Sequence, residues 1–344
     1  MALVAPQMET QKTNSIMRTG RELILATKPY TKEDRTKSWM LLVSTLLLLA
    51  TALSGAFFIP YTVLRLVCSL LAGLLMVRMF IIYHDFQHHA ILHRSVLADV
   101  IMTTYGWYVL VPASIWKRSH DYHHAHNSKL FSASIGSYPI ATKGKYLSMT
   151  KGERRMYLFI RHPLTIIMGY FTMFIIGMCI SSFVSAPKKH YDSLIALVLH
   201  GLLNWFIFTT FGWETWLFFV FIPIFLASAM GAYLFYAQHN FPDTKFCDKE
   251  DWKYEMAALE SSSYMVMNPF MQFMTGNIGF HHIHHLNSRI PFYRLPEVYK
   301  DFPELQDART TTLKPKDIIA CFRLKVWDPE SNKMIGFKEL NALN

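Results

Sequence analysis

The chain has 344 residues, of which 52% are hydrophobic and 17% charged, and 34 Lys and Arg against 24 Asp and Glu leave it with a net charge of +10. Apolar runs about as long as a bilayer is thick exclude a pair of soluble domains. Lys and Arg are spread through the polar segments rather than gathered on one face; positive-inside retention and anionic headgroups account for that pattern, and nucleic-acid binding is excluded.

Residues 1–38 are polar and basic and read as a cytosolic N-terminal segment. No small-residue cleavage signal follows a short apolar core, so the first span is expected to remain. It runs from Trp39 to about Phe58, turns at Ile59-Pro60-Tyr61, and is followed by a second span from about Thr62 to Tyr83. Residues 39–83 therefore form a first transmembrane hairpin that returns the chain to its starting side.

The next apolar run, Val96 to Trp116, is interrupted by Asp99, Gly106 and Pro112. Both its ends adjoin histidine clusters, which makes it interfacial or re-entrant. Three more apolar runs follow at 164–184, 193–211 and 216–237, and parity forbids all three from crossing. The connection after the first carries Lys188 and Lys189, whereas Gly212-Trp213-Glu214-Thr215 has no Lys or Arg. This favours 193–237 as the second hairpin and 164–184 as a segment that dips in or lies peripherally.

The expected fold is an all-α integral membrane protein. It has two transmembrane helical hairpins (about four spans) and interfacial helices, capped by a cytosolic His-rich metal domain. Residues 84–192 are its first cytosolic and interfacial region and 238–344 its second, with both termini on the cytosolic side.

Chemistry enters through the histidines, of which the chain has 16. His84-Asp85-Phe86-Gln87-His88-His89, with i, i+4 and i+5 spacing, and His120-Asp121-Tyr122-His123-His124 and His281-His282-Ile283-His284-His285, with i, i+3 and i+4 spacing, are three boxes. On helices that spacing turns imidazoles toward common points, and neutral imidazole is the commonest ligand for iron, zinc and copper. His239 sits at the end of the last apolar run and adds a further ligand.

Counting His84, His88 or His89, His120, His123, His124, His239, His281, His284 and His285 gives more imidazoles than one tetrahedral zinc can take. Two ions with open positions fit better, and such sites suit redox-active iron that activates dioxygen. Asp85, Asp121, His126, Asn240, Asn277 and His282 are candidates to orient the ligands from behind. Four scattered cysteines, Cys68, Cys179, Cys247 and Cys321, give no iron–sulfur, zinc or disulfide spacing. No dinucleotide fingerprint or haem-attachment motif is present either, so electrons are expected from a separate protein.

The boxes HDFQHH, HDYHHAHN and HHIHH resemble those of the membrane fatty-acid desaturase superfamily. Residues 257–264, Phe273–Phe280, HHIHHLNSRIPFYRL and Phe235–Phe241 resemble its acyl-lipid Δ12 (omega-6) branch. The resemblance spans roughly residues 40 to 300. It implies a non-haem di-iron centre using O2 and two electrons to desaturate membrane-bound fatty acyl chains. The donor would be ferredoxin or a cytochrome b5-like protein, with basic loops such as Lys143 to Arg161 suited to an acidic partner. It also implies ligand roles for His84, His88, His120, His123, His124, His239, His281, His284 and His285.

The first box ends His88-His89 where related sequences often have His-Arg, so either residue fits as its ligand. A hydroxylase, acetylenase or carotenoid oxygenase would use the same metal core. A transition-metal transporter would place ligands near mid-membrane, where only His200 lies.

Overall fold

A computed structural model describes residues 17–130, 135–248 and 250–342. Residues 1–16 of the basic N-terminal segment lie outside the described residues. A short α1 (Gly20–Ala26) precedes two long helices, α2 (Arg35–Phe58) and α3 (Thr62–Gln87). Asp34 caps α2 by accepting from the Lys37 amide at 3.0 Å, and Pro60 stops the helix from running on. With 24 and 26 residues, each helix is long enough at a rise of about 1.5 Å per residue to cross a hydrocarbon core of about 30 Å. Of the most apolar window, 61% is buried in α3 but 28% in α2. Thus α3 is the central helix and α2 lies at the periphery.

Helices α4 (Val96–Tyr108) and α5 (Ala113–His126) meet at a 91° bend. Pro112 lacks the amide needed to continue the first helix into the second. The pair leaves the end of α3 and comes back to it, because His120 Nε2 on α5 lies 3.0 Å from His84 Nε2 on α3. The segment expected to be re-entrant thus begins and ends at the same level.

Shorter helices α6 (Lys143–Ser148), α7 (Lys151–Ile160) and α8 (Pro163–Ile167) follow, then a π-helical stretch, Tyr170–Ser181, and a final turn α9 (Ser182–Ser185). A reciprocal Thr150–Glu153 capping box starts α7. The connection after α9 brings His190 Nδ1 to 2.8 Å from Ser114 Oγ at the start of α5. Nearby, the Val111 carbonyl accepts from Tyr83, the residue before His84. The apolar run at 164–184 therefore ends near the level of the histidines.

Helix α10 (Tyr191–Trp216) reads as one element with a break at Gly212, where φ is 84° and ψ 169°. A side-chain methyl is strained at that φ, so a glycine stands there. The indole of Trp216 donates to Asn204 Oδ1 at 2.7 Å. Twelve residues of straight helix would span about 18 Å, so the chain reverses at Gly212. A π-helical stretch, Leu217–Phe221, and α11 (Ile222–Ala237) complete this hairpin. Arg65 near the start of α3 pairs with Glu214 at 3.6 Å, putting the tips of both hairpins at the end away from the histidines. The hairpins pack closely where Gly73 of α3 meets α11: a Cβ there would lie 2.9 Å from the Pro223 carbonyl oxygen.

The rest of the chain folds over the histidine end as α12 (Tyr254–Glu260), α13 (Pro269–Met274), α14 (His281–Leu286) and two small sheets. Strand β1 (Tyr264–Val266) pairs in parallel with β2 (Thr310–Thr312), and β3 (Val326–Asp328) antiparallel with β4 (Lys333–Ile335). The N-terminal segment is tied to this cap. Arg18 pairs with Glu304 at 2.8 Å, and Arg294 reaches the carbonyls of Pro29, Tyr30 and Lys32.

Candidate metal centre

Four helical segments deliver the histidines: the end of α3, α5, the residues just past α11, and α14. Their rings form two groups, His84, His88, His120, His124 and His284 in one, and His123, His239, His281 and His285 in the other. Within each group the donor nitrogens all lie within 4.8 Å of one another. The division follows from helix geometry. On α5, His120 and His124 share a face while His123 points about 60° away, and on α14 His281 and His285 share a face while His284 points to the first group. The groups share a wall, with His124 and His285 stacked at 4.2 Å between ring centroids.

Nε2 to Nε2 separations are 3.0 Å for His84–His120, 3.1 Å for His120–His124 and 3.0 Å for His124–His284. In the second group they are 3.0 Å for His123–His239, 2.9 Å for His239–His281 and 3.1 Å for His281–His285. Hydrogen bonding does not explain these contacts, because a ring nitrogen has one in-plane site and the Nε2 atoms of His120, His124, His239 and His281 each face two partners. Lone pairs converging on a shared ion do explain them. With metal–nitrogen bonds of about 2.1 Å, ligands at right angles stand about 3.0 Å apart and tetrahedral ones about 3.4 Å. The observed spacing is close enough for the rings of each group to share one ion. His88 Nε2 is buried without a hydrogen-bond partner among the described residues, as a donor turned toward an ion would be.

Two ligand rings are oriented from behind. His84 Nδ1 lies 3.0 Å from Asp85 Oδ1, whose other oxygen accepts from the Phe292 amide at 2.6 Å. His239 Nδ1 lies 2.9 Å from the Ser261 carbonyl. A proton held at Nδ1 by either acceptor leaves the Nε2 lone pair free for a metal. Trp116 stacks on His120 at 4.5 Å and closes one side of the first group. Burial first, then neighbouring imidazoles, holds His281, His284 and His285 well below the usual histidine range. Burial also lowers His239 to about 4, against the opposing effect of its hydrogen bond to the Ser261 carbonyl. At neutral pH all four carry the uncharged ring that a metal requires.

The two histidines that close the first box are placed differently. His88 belongs to the first group, whereas His89 has a φ of 57°, is exposed, and packs on His93 at 4.4 Å. Helix α3 carries His84 and ends at Gln87; His88, its C-cap, keeps a helical φ of −78°, whereas His89 takes a positive φ. Of the residues expected behind the ligands, only Asp85 is seen to contact one.

Asp121 is exposed and pairs with Lys117 at 2.8 Å, and His126 stacks on Tyr122. Asn240 holds Arg161 and the Cys321 carbonyl, Asn277 the Phe292 carbonyl, and His282 the Leu305 carbonyl. Asp121 and His126 thus make contacts within α5, and Asn240, Asn277 and His282 tie loops and the cap together. Sequence reasoning missed the Ser261 carbonyl and the Phe292 amide, which carry no side-chain signature.

A cavity of about 500 Å³ opens beside the centre. His84, His120 and His281 line one end, and apolar residues of α3, α11 and the Tyr170–Ser181 stretch, such as Met76, Leu234 and Phe174, line most of the rest. His200 takes no part, being bonded to the Tyr170 hydroxyl at 2.6 Å. The histidine groups therefore adjoin a mainly apolar cavity.

The family model for fatty acid desaturase matches residues 60–314. The chain is 30% identical to a fatty acid desaturase of Bacillus subtilis (strain 168) over 297 residues, 84% of each chain. It is 22% identical to the sn-1 oleoyl-lipid 12-desaturase of Synechocystis sp., covering 77% of this chain and 75% of that one. It is 24% identical to the sn-1 acyl-lipid omega-3 desaturase (ferredoxin) of Nostoc sp., covering 74% and 70%. With histidine groups that can hold metal, apolar helices long enough to span a membrane and this extent of likeness, the chain belongs to the fatty acid desaturase family and is an oxidoreductase of lipid metabolism.

Proposed function

We propose that the protein is an acyl-lipid desaturase of Δ12 (omega-6) type. It would remove two hydrogens from adjacent carbons of a membrane lipid's acyl chain, using two iron ions and O2. The observation that carries this reading is the junction of the two histidine groups with an apolar cavity. The balanced reaction consumes one O2, two electrons and two protons for each double bond and releases two waters. Bound iron supplies the oxidising power that side-chain acid–base groups lack against an alkyl C–H bond.

The chain's own residues would do the rest. His84, His88, His120, His124 and His284 hold one ion, and His123, His239, His281 and His285 the other. Asp85 and the Ser261 carbonyl keep His84 and His239 turned toward their ions. The cavity walls align the acyl chain and exclude water.

The membrane would contain two hairpins, α2 with α3 and the two arms of α10–α11, with α4–α5 and residues 170–185 re-entering. Both termini, the cap and the histidines lie on the cytosolic face in this reading. There an electron donor such as ferredoxin or a cytochrome b5-like protein docks. Lys145, Lys151 and Arg155 offer it a basic surface, whereas Arg161, expected from the sequence to join them, is buried against Asn240 and the Leu324 carbonyl.

Expression in a desaturase-deficient host, with gas chromatography–mass spectrometry of total fatty acids, tests the assignment. A new diene with its second bond at the Δ12 position, absent with His284→Ala, is expected. A hydroxylated product, or a double bond elsewhere, would overturn the regiochemistry or the reaction type.

A further inference from the structure

We infer that Gly231 sets how long an acyl chain the cavity accepts, an inference that rests on reading the cavity as the acyl path. Glycine in the middle of a helix costs about 1 kcal/mol relative to alanine, so its presence in α11 calls for a reason. In the neighbouring helices the reason is contact. A Cβ would lie 2.9 Å from the Pro223 carbonyl oxygen at Gly73, 2.8 Å from the Val111 carbonyl oxygen at Gly106, and 2.8 Å from Ala232 at Gly169.

Gly231 has no such neighbour, because a Cβ built there meets no heavy atom within 4 Å. It lines the cavity together with Ala227, Ser228, Leu234 and Phe235. Those are its i−4, i−3, i+3 and i+4 neighbours, so Gly231 sits at the centre of the helix face turned to the cavity. The missing side chain is space in the cavity rather than room for another helix.

Two other glycines line the same cavity and are explained otherwise. Gly136 has a φ of 66° and a Cβ there would fall 2.0 Å from the Ser119 carbonyl oxygen; at Gly177 it would lie 3.3 Å from that of Thr172. Gly231 lies six residues, about 9 Å along the helix, before α11 ends at Ala237, and His239 follows two residues later. Bulk there meets the substrate well beyond the reacting carbons. It narrows the path of the distal acyl chain while the histidines keep their positions.

The test compares Gly231→Leu with Gly201→Leu. Gly201 is exposed on α10 and also has open space around it, so it adds the same bulk outside the cavity. Purified proteins in detergent are titrated with saturated fatty acids of graded length in competition with a fluorescent fatty acid. Products are profiled in the desaturase-deficient host. In a hydrophobic pocket one methylene too many costs about 10–200-fold. Gly231→Leu is therefore expected to lose at least about tenfold in preference for the longest chain over a short one in both readouts, and Gly201→Leu to match the parent.

Iron bound per protein should be the same in all three. An unchanged length profile in Gly231→Leu, or an equal shift in Gly201→Leu, overturns the inference. A parent that makes no unsaturated product defeats the proposed function, while the binding readout still decides the role of Gly231.

Discussion

Asp85→Asn is the substitution that best separates an oriented metal ligand from a merely buried histidine. In the native protein one carboxylate oxygen faces His84 Nδ1 at 3.0 Å and the other accepts from the Phe292 amide at 2.6 Å. Asparagine has the same shape but only one acceptor oxygen. Either its NH2 faces the Phe292 N–H, or it faces His84 Nδ1 and favours the tautomer with the proton on Nε2, where the metal should bind.

Leaving a buried donor unpaired costs about 1–3 kcal/mol. Losing the group that orients a ligand typically lowers metal affinity about 10–100-fold, or about 1.4–2.8 kcal/mol at the usual factor of ten per 1.4 kcal/mol. The assay is iron retained per protein during titration with a chelator, run beside thermal unfolding in detergent. Asp85→Asn is expected to release iron at a chelator concentration about 10–100-fold lower than the parent does. Asp121→Asn, whose native partner is Lys117 at the surface, should match the parent. Iron retention in Asp85→Asn equal to that of the parent would refute the orienting role.

His88→Ala is expected to lower iron retention and abolish product, whereas His89→Ala keeps both; the reverse order, read by metal analysis, would reject the geometric division of the first box. Lys325 is held down to about 8, first by burial and then by Arg161. Below pH 8 both folded and unfolded chains carry its proton and the folded one bears the burial cost in full. As pH rises from about 8 toward the unfolded value, the unfolded state binds more protons, so this group makes stability rise with pH. Lys325→Met should unfold at a higher temperature than the parent at pH 7, with the difference shrinking by pH 10; melting curves at the two pH values check both points.

Much of the architecture was legible in the chain because bilayer-length apolar runs and box spacing are local signals. Two apolar runs with Pro60 between them became α2 and α3, and the interruption at Pro112 became the 91° bend. The H-x-x-x-H-H and H-x-x-H-H spacings were enough to turn the imidazoles of each box toward common points, since i, i+3 and i+4 positions share or flank one helix face. The turn near Gly212 was likewise foreshadowed by a run of residues without Lys or Arg between two apolar segments.

Other features depended on contacts between distant segments. His88 and His89 are adjacent and chemically identical; where α3 ends decides which ring turns inward. Asp85 and Asp121 occupy the same place in their boxes, yet the cap covers the first and leaves the second beside Lys117. The groups behind His84 and His239 include the backbone of residues 292 and 261, and peptide groups carry no sequence signature. The space beside Gly231 is defined by α3, α11 and the π-helical stretch together. Sequence alone determined which residues can bind metal and which segments can enter lipid, because both are properties of side chains at short range. Tertiary structure decided how the ligands divide, what orients them and what shape the substrate meets, because those depend on surfaces that only packing brings together.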